Sequence, residues 1–485
     1  MSSKLINLVS GTGSGKFWFL CILLLIYIPF WQWQREAAED VKGNKPPAWD
    51  SPEGQSIVTV NIPDSDFLFV DRKGKSISFV PDYDKTLTHL LTVVTDRTSP
   101  LQRGVLFTTL PDYCKLTVLT DSAKNAKKIR ASFVPLLGRP AGTVDVAIAI
   151  ITRDWDEFAQ DMGKGTVDGF FLSRLRHQLK APIEALGIPV YKHNLMLPGG
   201  NIRLARNRDG EQILFVGSRA LEQSIEVLNK QGNTSKDLRK EVLTDYQATF
   251  NAERVIVLPN ITTARFTKSD YHSGGMFHLD QDSQFIGDQL AVVLALPDPT
   301  RAEQTAYKVF IDAAENKHEA YLDNILLRYN DRTRLINAAY LGALPKCMDG
   351  LNLIALKKVL LWKRLGARHT QLRNAGFDVG TLQTTMKHIA RTQSFANIIA
   401  YTHGETGRRI VMLPIYRDST GKFFHEDPSG PIVEKGKHYD IRELNRMNYK
   451  SLDALMKRQL SDYSIDVKIS EFRGAGNIHC VVATF

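Results

Sequence analysis

Cysteine is scarce in this chain. Four cysteines in 485 residues (Cys21, Cys114, Cys347 and Cys480) are too few and too far apart for a disulfide scaffold, and nothing in the sequence pairs Cys114 with Cys347. No CxxC or Cys/His spacing suits a structural zinc. An excess of one charge is also lacking. The 62 basic residues outnumber the 52 acidic ones by only ten and are scattered, which excludes a nucleic-acid footprint. With 43% hydrophobic and 24% charged residues, and no bias in its 33 Gly and 20 Pro, the chain is neither collagen-like nor disordered. Its length is enough for one large domain or two to three ordinary ones.

Long apolar runs are missing too, with one exception. Residues 17–33 (FWFLCILLLIYIPFWQW) carry no charge and lie near the short limit of the roughly 17–25 residues that span a bilayer. Trp18, Tyr27, Trp31 and Trp33 suit the two interfaces. Lys4 and Lys16 precede the run, while acidic residues offset Arg35 and Lys42 after it, so the N-terminus is expected in the cytoplasm. No small-x-small site follows directly, because Glu36 occupies the −3 position for a cut after Ala38. An uncleaved anchor is therefore expected rather than a signal peptide. SGTGSGKF, just before it, lacks the GxxxxGK[ST] spacing of a phosphate loop. The expected organisation is a polar tail (1–16), an anchor (17–33), a tether (34–54), a lead-in (55–100) and a globular domain (101–485).

In that domain short β-rich runs recur at 105–110, 144–151, 213–217, 255–260, 290–297, 408–416 and 478–485. Between them, Glu303–Ala314, Leu353–Leu372 and Leu452–Leu460 show the 3.6-residue apolar period of helices. Alternating strands and helices define an α/β class. Lys357, Lys358, Lys363, Arg364 and Arg368 share the second helical stretch and are expected on a solvated face.

Four segments carry groups with chemistry. EFRGAGNIHCVVATF (471–485) is a Gly-rich turn leading into a strand that bears Cys480, a candidate nucleophile. Its neighbour His479 should face away, since successive side chains on a strand alternate. In SGGMFHLDQD (273–282), His278 and Asp280 are two residues apart and would share a side in an extended segment. They suit general acid/base work or, with Asp270, His272 and Asp282, metal ligation. RDWDEFAQDMGKG (153–165) clusters Asp154, Asp156, Glu157 and Asp161 around Trp155 and Phe158, a pattern that suits a flat cation. LPGGN (197–201) is a turn feeding a strand.

In combination and in this order, these segments resemble the guanidino-group-modifying enzymes of the pentein fold, above all agmatine deiminases and bacterial peptidylarginine deiminases. The likeness spans about residues 100–485 and rests on Gly476-Asn477-Ile478-His479-Cys480, His278-Leu279-Asp280, Asp156-Glu157-Phe158-Ala159-Gln160-Asp161 and Gly199-Gly200-Asn201. ANIIAYTHGETGRRIVMLPIY (396–416) looks like the family's penultimate strand pair. The resemblance implies an α/β propeller of repeated ββαβ-like units. It makes Cys480 the nucleophile, His278 the acid/base, Asp161 and Asp280 the guanidinium carboxylates, Phe158 an aromatic wall, and Gly200 and Asn201 part of the substrate turn.

The implied reaction turns a guanidino group into a ureido group and ammonia through a covalent thiouronium, with no metal or organic cofactor. An amidinotransferase on the same residues and a non-catalytic binding module of the same fold are the alternatives. Pro198 stands where relatives acting on agmatine or free arginine carry Glu, which moves the expected substrate toward peptidyl-arginine. Implied partners are that guanidinium substrate and a membrane, with no nucleic acid. The anchor would put the domain in the periplasmic or extracellular space. The extra basic helical portion at 316–383 lies between Asp280 and Cys480 and has no counterpart in the resemblance.

Overall fold

In the residues that the structure describes, continuous apolar runs form the buried middle strands of five small sheets. The computed structural model describes residues 79–94, 110–149, 162–166, 169–233, 235, 237–261, 278–312, 353–390, 393–416, 441–469 and 482–484. The first sheet contains β1 (His89–Val93), β2 (Lys115–Thr120), β3 (Val144–Ile148) and β16 (Val482–Thr484), in the order β16-β1-β2-β3. The second is β4 (Gly163–Thr166), β5 (Gly169–Leu172) and β6 (Val190–Lys192). The third is β7 (Ile202–Arg206), β8 (Gln212–Gly217) and β9 (Arg254–Leu258). The fourth is β10 (Ser283–Gly287), β11 (Leu290–Ala295) and β12 (Asp378–Gln383). The fifth is β13 (Ile399–Thr402), β14 (Arg409–Ile415) and β15 (Tyr463–Ile469).

One connection pattern repeats. In the second to fifth sheets an antiparallel hairpin is followed by a crossover to a third strand parallel to the hairpin's second. In the first sheet β16 takes the place of the leading strand: it pairs antiparallel with β1, which pairs parallel with β2. Helices make the longer crossovers, as parallel pairing demands. They are α1 (Ser218–Lys230) and α2 (Leu238–Phe250) in the third sheet, α3 (Arg301–Asp312) and α4 (Leu353–Asn374) in the fourth, and α5 (Ile441–Gln459) in the fifth. The α2 helix starts where the Asp237 carboxylate accepts from the Lys240 N–H and ends at Asn251, whose φ of 47° stops it.

Each sheet packs on the next. Leu91 and Leu119 of the first meet Phe170 and Leu172 of the second. Phe171 of the second meets Ile202 and Leu214 of the third. Phe215 stacks on Phe285 of the fourth with ring centroids 4.7 Å apart. Val292 and Leu294 share a cluster with Val411 and Leu413 of the fifth, whose Ile399 and Met412 pack on Leu90 and Val118 of the first.

The leading strands bury polar groups instead. Asp82, in a one-turn 3-10 helix at Asp82–Asp84, accepts from Lys85 at 2.7 Å, from Lys164 of β4 at 2.9 Å and from Arg203 of β7 at 2.8 Å. Lys85 also donates to the Gly165 and Thr484 carbonyls, at 2.8 and 3.4 Å. Arg203 donates to Gln284 of β10, and Gln284 donates to the Ile398 carbonyl beside β13 at 2.6 Å. One connected set of hydrogen bonds thus touches all five sheets. The same N-terminal turn packs by the far ends of the leading strands. There Arg206 bonds Asp84 at 2.6 Å and Asp288 at 2.9 Å, and Arg409 bonds Asp84 at 3.1 Å with its guanidinium over the Tyr83 ring.

Burial pulls the Lys164 ammonium down to about 7, against the attraction of Asp82. An unfolded lysine holds its proton to about pH 10.4. Between these values the unfolded chain binds more protons than the native one, so this group makes stability rise with pH. Thermal unfolding of wild type and Lys164→Met from pH 7 to 9.5 should show a rise in the wild type that the variant lacks. Parallel curves would contradict this account.

The basic stretch of α4 departs from the solvated face its charges suggest. Lys357 and Arg368 are buried, and Lys358 pairs with Glu303 at 2.9 Å. Lys363 lies 5.1 Å from the Tyr307 ring centroid, and Arg364 donates to the Ile261 carbonyl at 3.0 Å. Charge spacing reports a helix face but not what packs on it, and here α3 and the chain leaving β9 do. Among the described residues no helix is long and apolar enough to cross a membrane. The apolar run at 17–33 lies outside them, as do most of the strand expected at 105–110 and most of the basic portion before α4.

Candidate active site

Every segment singled out for chemistry lies just before a leading strand. Gly199–Asn201 is a one-turn 3-10 helix that runs directly into β7. His278 caps a second such turn, Leu279–Gln281, which precedes β10. In sequence, Asp161 stands two residues before β4 and Cys480 two residues before β16. Each hairpin of the second to fifth sheets begins with its leading strand, so the approach to that strand is the repeated element in which the candidate residues fall.

The described part of the site is built around Gly200. A Cβ placed on it would lie 2.7 Å from His278 Nδ1 and 2.8 Å from Asp280 Oδ1. The imidazole and the carboxylate therefore converge on one point, in a gap that only a glycine leaves. Their convergence has a different origin from the extended alternation expected of His-x-Asp. A tight turn curls the two side chains toward Gly200, and both residues are buried.

Three side chains hold this turn. Asn201 Oδ1 accepts from the Leu279 N–H at 3.2 Å and from Asn260 Nδ2 at 2.8 Å. Gln281 Oε1 accepts from the His278 N–H at 3.2 Å. Asn397, just before β13, donates to Asp280 Oδ2 at 2.8 Å. Asn201 thus has its carbonyl oxygen committed to fixing the turn. Below, Asp282 Oδ1 receives Arg368 Nη1 at 2.6 Å. Burial pushes the Asp282 carboxyl up to about 7, with Arg368 opposing the shift and the Asp280 charge adding to it. Asp282, counted from sequence among possible metal ligands, is taken up by that arginine. Among the described residues no group of three metal-ligating side chains occurs.

Cys480, His479, Asp161, Phe158, His272 and Asp270 lie outside the described residues. Of the expected set, Gly200, Asn201, His278 and Asp280 come together. Asn397, Asn260 and Arg368 are additions that the sequence reading passed over. A signal for Asn397 existed: Gly200-Asn201-Ile202, Ala396-Asn397-Ile398 and Gly476-Asn477-Ile478 share a small residue, Asn and Ile, each ahead of a leading strand.

No family model and no curated protein sequence matches the chain. Solved structures do. The chain is similar to the agmatine deiminase of C. jejuni at 12% identity and a TM-score of 0.46, over 86% of this chain and 98% of that one. A cysteine-to-serine variant of that enzyme with substrate bound gives 12% identity and a TM-score of 0.47 over the same shares. A Porphyromonas gingivalis structural-genomics target, described as a candidate arginine deiminase, gives 13% and 0.45 over 84% of this chain and 97% of that one. Likeness at this level concerns the course of the chain and assigns no residue a role.

Proposed function

We propose that the protein is a hydrolytic guanidine deiminase of the pentein type, its five sheets arranged as the blades of an α/β propeller. The observation that carries the reading is the convergence of His278 and Asp280 on Gly200 at the approach to a leading strand. Cys480 and Asp161 stand in the corresponding approaches, each two residues ahead of β16 and β4 in sequence. A repeated architecture that gathers these approaches would bring a thiol, an imidazole and two carboxylates round one planar cation.

In the proposed reaction Asp161 and Asp280 accept the substrate N–H groups and align the guanidinium carbon, while Phe158 covers its face. The Cys480 thiolate, favoured by the cationic substrate, forms a C–S bond to that carbon. His278 gives a proton to one nitrogen of the tetrahedral adduct and ammonia departs, leaving a thiouronium. Water passes a proton to His278 as its oxygen adds to the same carbon. The adduct then collapses: the hydroxyl proton passes to solvent as the ureido carbonyl forms, the C–S bond breaks with its electron pair returning to the Cys480 sulfur, and the product leaves.

The substrate we favour is arginine within a peptide, because Pro198 removes a charge that would help surround a small dication. The apolar run at 17–33 would tether the domain on the outer side of the cytoplasmic membrane, where exported proteins present such side chains. Ammonia and ureido product should form from a blocked arginine ester faster than from agmatine or free arginine. Preference for agmatine would refute the peptide reading, and transfer of the amidino group to an added amine without ammonia would indicate an amidinotransferase. A haloacetamidine should add once, at Cys480, by intact mass. Asp161→Asn should raise KM about tenfold or more with a smaller fall in kcat, as expected for loss of one charged hydrogen bond worth about 1.5–3 kcal/mol. An unchanged KM would remove Asp161 from the site.

A further inference from the structure

We infer that Arg368 of α4 is a positioning residue for the His278–Asp280 turn, an inference that rests on the deiminase reading for its catalytic consequence. Arg368 comes from a helix with no place in the sequence resemblance, yet its side chain is 1% exposed and ends directly beneath the turn. Its Nη1 donates to Asp282 Oδ1 at 2.6 Å and to Ser283 Oγ at 3.0 Å, and its Nη2 donates to the Pro259 carbonyl. Ser283 Oγ in turn donates to the Leu279 carbonyl at 3.1 Å. One turn earlier on the helix, Arg364 holds the Ile261 carbonyl.

These contacts join two places that are close in space and distant in sequence. Pro259–Ile261 is where the chain leaves β9, and His278–Ser283 is where it enters β10. Asn260 is tied to Asn201, and Asn201 to the Leu279 N–H. The guanidinium therefore braces the turn from below while Asn201 holds it from above. A planar fork suits this task, because it fixes direction as well as charge. Asp280 is two residues from the braced Asp282, and its Oδ1 lies 2.8 Å from the point a Gly200 Cβ would occupy. A small rotation of the turn would displace it.

The difficulty in testing a buried ion pair is that removing one partner leaves the other charge stranded and destabilises the fold. Replacing both with apolar side chains of similar size avoids this. The double variant Arg368→Met with Asp282→Leu should unfold within a few degrees of wild type. Its peptides covering 278–283 should exchange amide hydrogen at least about tenfold faster, while those of β11 and α5 should not change. Its kcat should fall about tenfold or more with KM within about threefold of wild type. Arg368→Lys, which keeps the charge but not the fork, should restore only part of the loss. Unchanged exchange at 278–283, or a double variant with full kcat, would overturn the inference. An inactive wild type would sink the deiminase reading instead, and the exchange comparison would still decide whether Arg368 sets the turn.

Discussion

Cys480→Ser should eliminate turnover of a guanidino substrate, by at least about 10³-fold, while the fold and substrate capture persist. A hydroxyl at that position is a far weaker nucleophile than a thiolate and forms no comparable adduct on a resonance-stabilised carbon. His278→Ala should cost about 10²–10⁴-fold, the usual worth of a positioned acid/base. The informative control is His479→Ala. On the strand alternation expected from the sequence His479 would face away from Cys480, so its loss should change kcat much less than the loss of His278. Equal damage from the two histidine variants would show that the turn before β16 directs these side chains differently. Normal turnover by Cys480→Ser would end the covalent reading.

Gly200→Ala should abolish most activity by adding one methyl group. That methyl would lie 2.7 Å from His278 Nδ1 and 2.8 Å from Asp280 Oδ1, closer than real Cβ contacts come. Neither neighbour can retreat easily. The His278 N–H is tied to Gln281, the Leu279 N–H to Asn201, and Asp280 Oδ2 to Asn397. A displacement of about 1 Å in such a site costs on the order of 10²-fold in rate. Kinetic assay together with circular dichroism checks the prediction. A folded Gly200→Ala enzyme with wild-type kcat would mean that catalysis does not need His278 and Asp280 where they stand.

Much of the fold was legible because the middle strands are buried on both faces. The runs at 213–217, 290–297 and 408–416 read as unbroken apolar segments and became β8, β11 and β14. The leading strands were harder to read. Gly163–Thr166 is buried along its whole length yet contains no apolar residue, while β7 carries Arg203 and β10 carries Gln284 toward the polar centre. Such strands lack the apolar alternation that marks a half-buried edge. In the candidate site, motif spacing picked out His278 and Asp280 and the resemblance picked out Gly200, and these three lie together. Neither could foresee Arg368, whose partner is 86 residues away in the chain; Asn397, whose partner is 117 residues away, left only the small residue-Asn-Ile pattern it shares with Gly200-Asn201-Ile202. Arg368 was masked further by its basic neighbours on α4, which read together as a solvent-facing surface.

The pairing of β16 with β1 has a consequence for biosynthesis. Thr92 meets Val482, so the two strands emerge from the ribosome roughly 390 residues apart, about 20–80 s at ordinary elongation rates. Until then β1 presents an unpaired edge bearing Leu90 and Leu91, a template for pairing with other chains. Closing so long a loop is entropically slow, and a holdase that shields this edge would raise the yield of native protein. Because Cys480 stands only two residues ahead of β16, the proposed nucleophile is added at almost the same moment as the closing strand, so nearly all of the vulnerable period of synthesis would pass with the chain chemically silent.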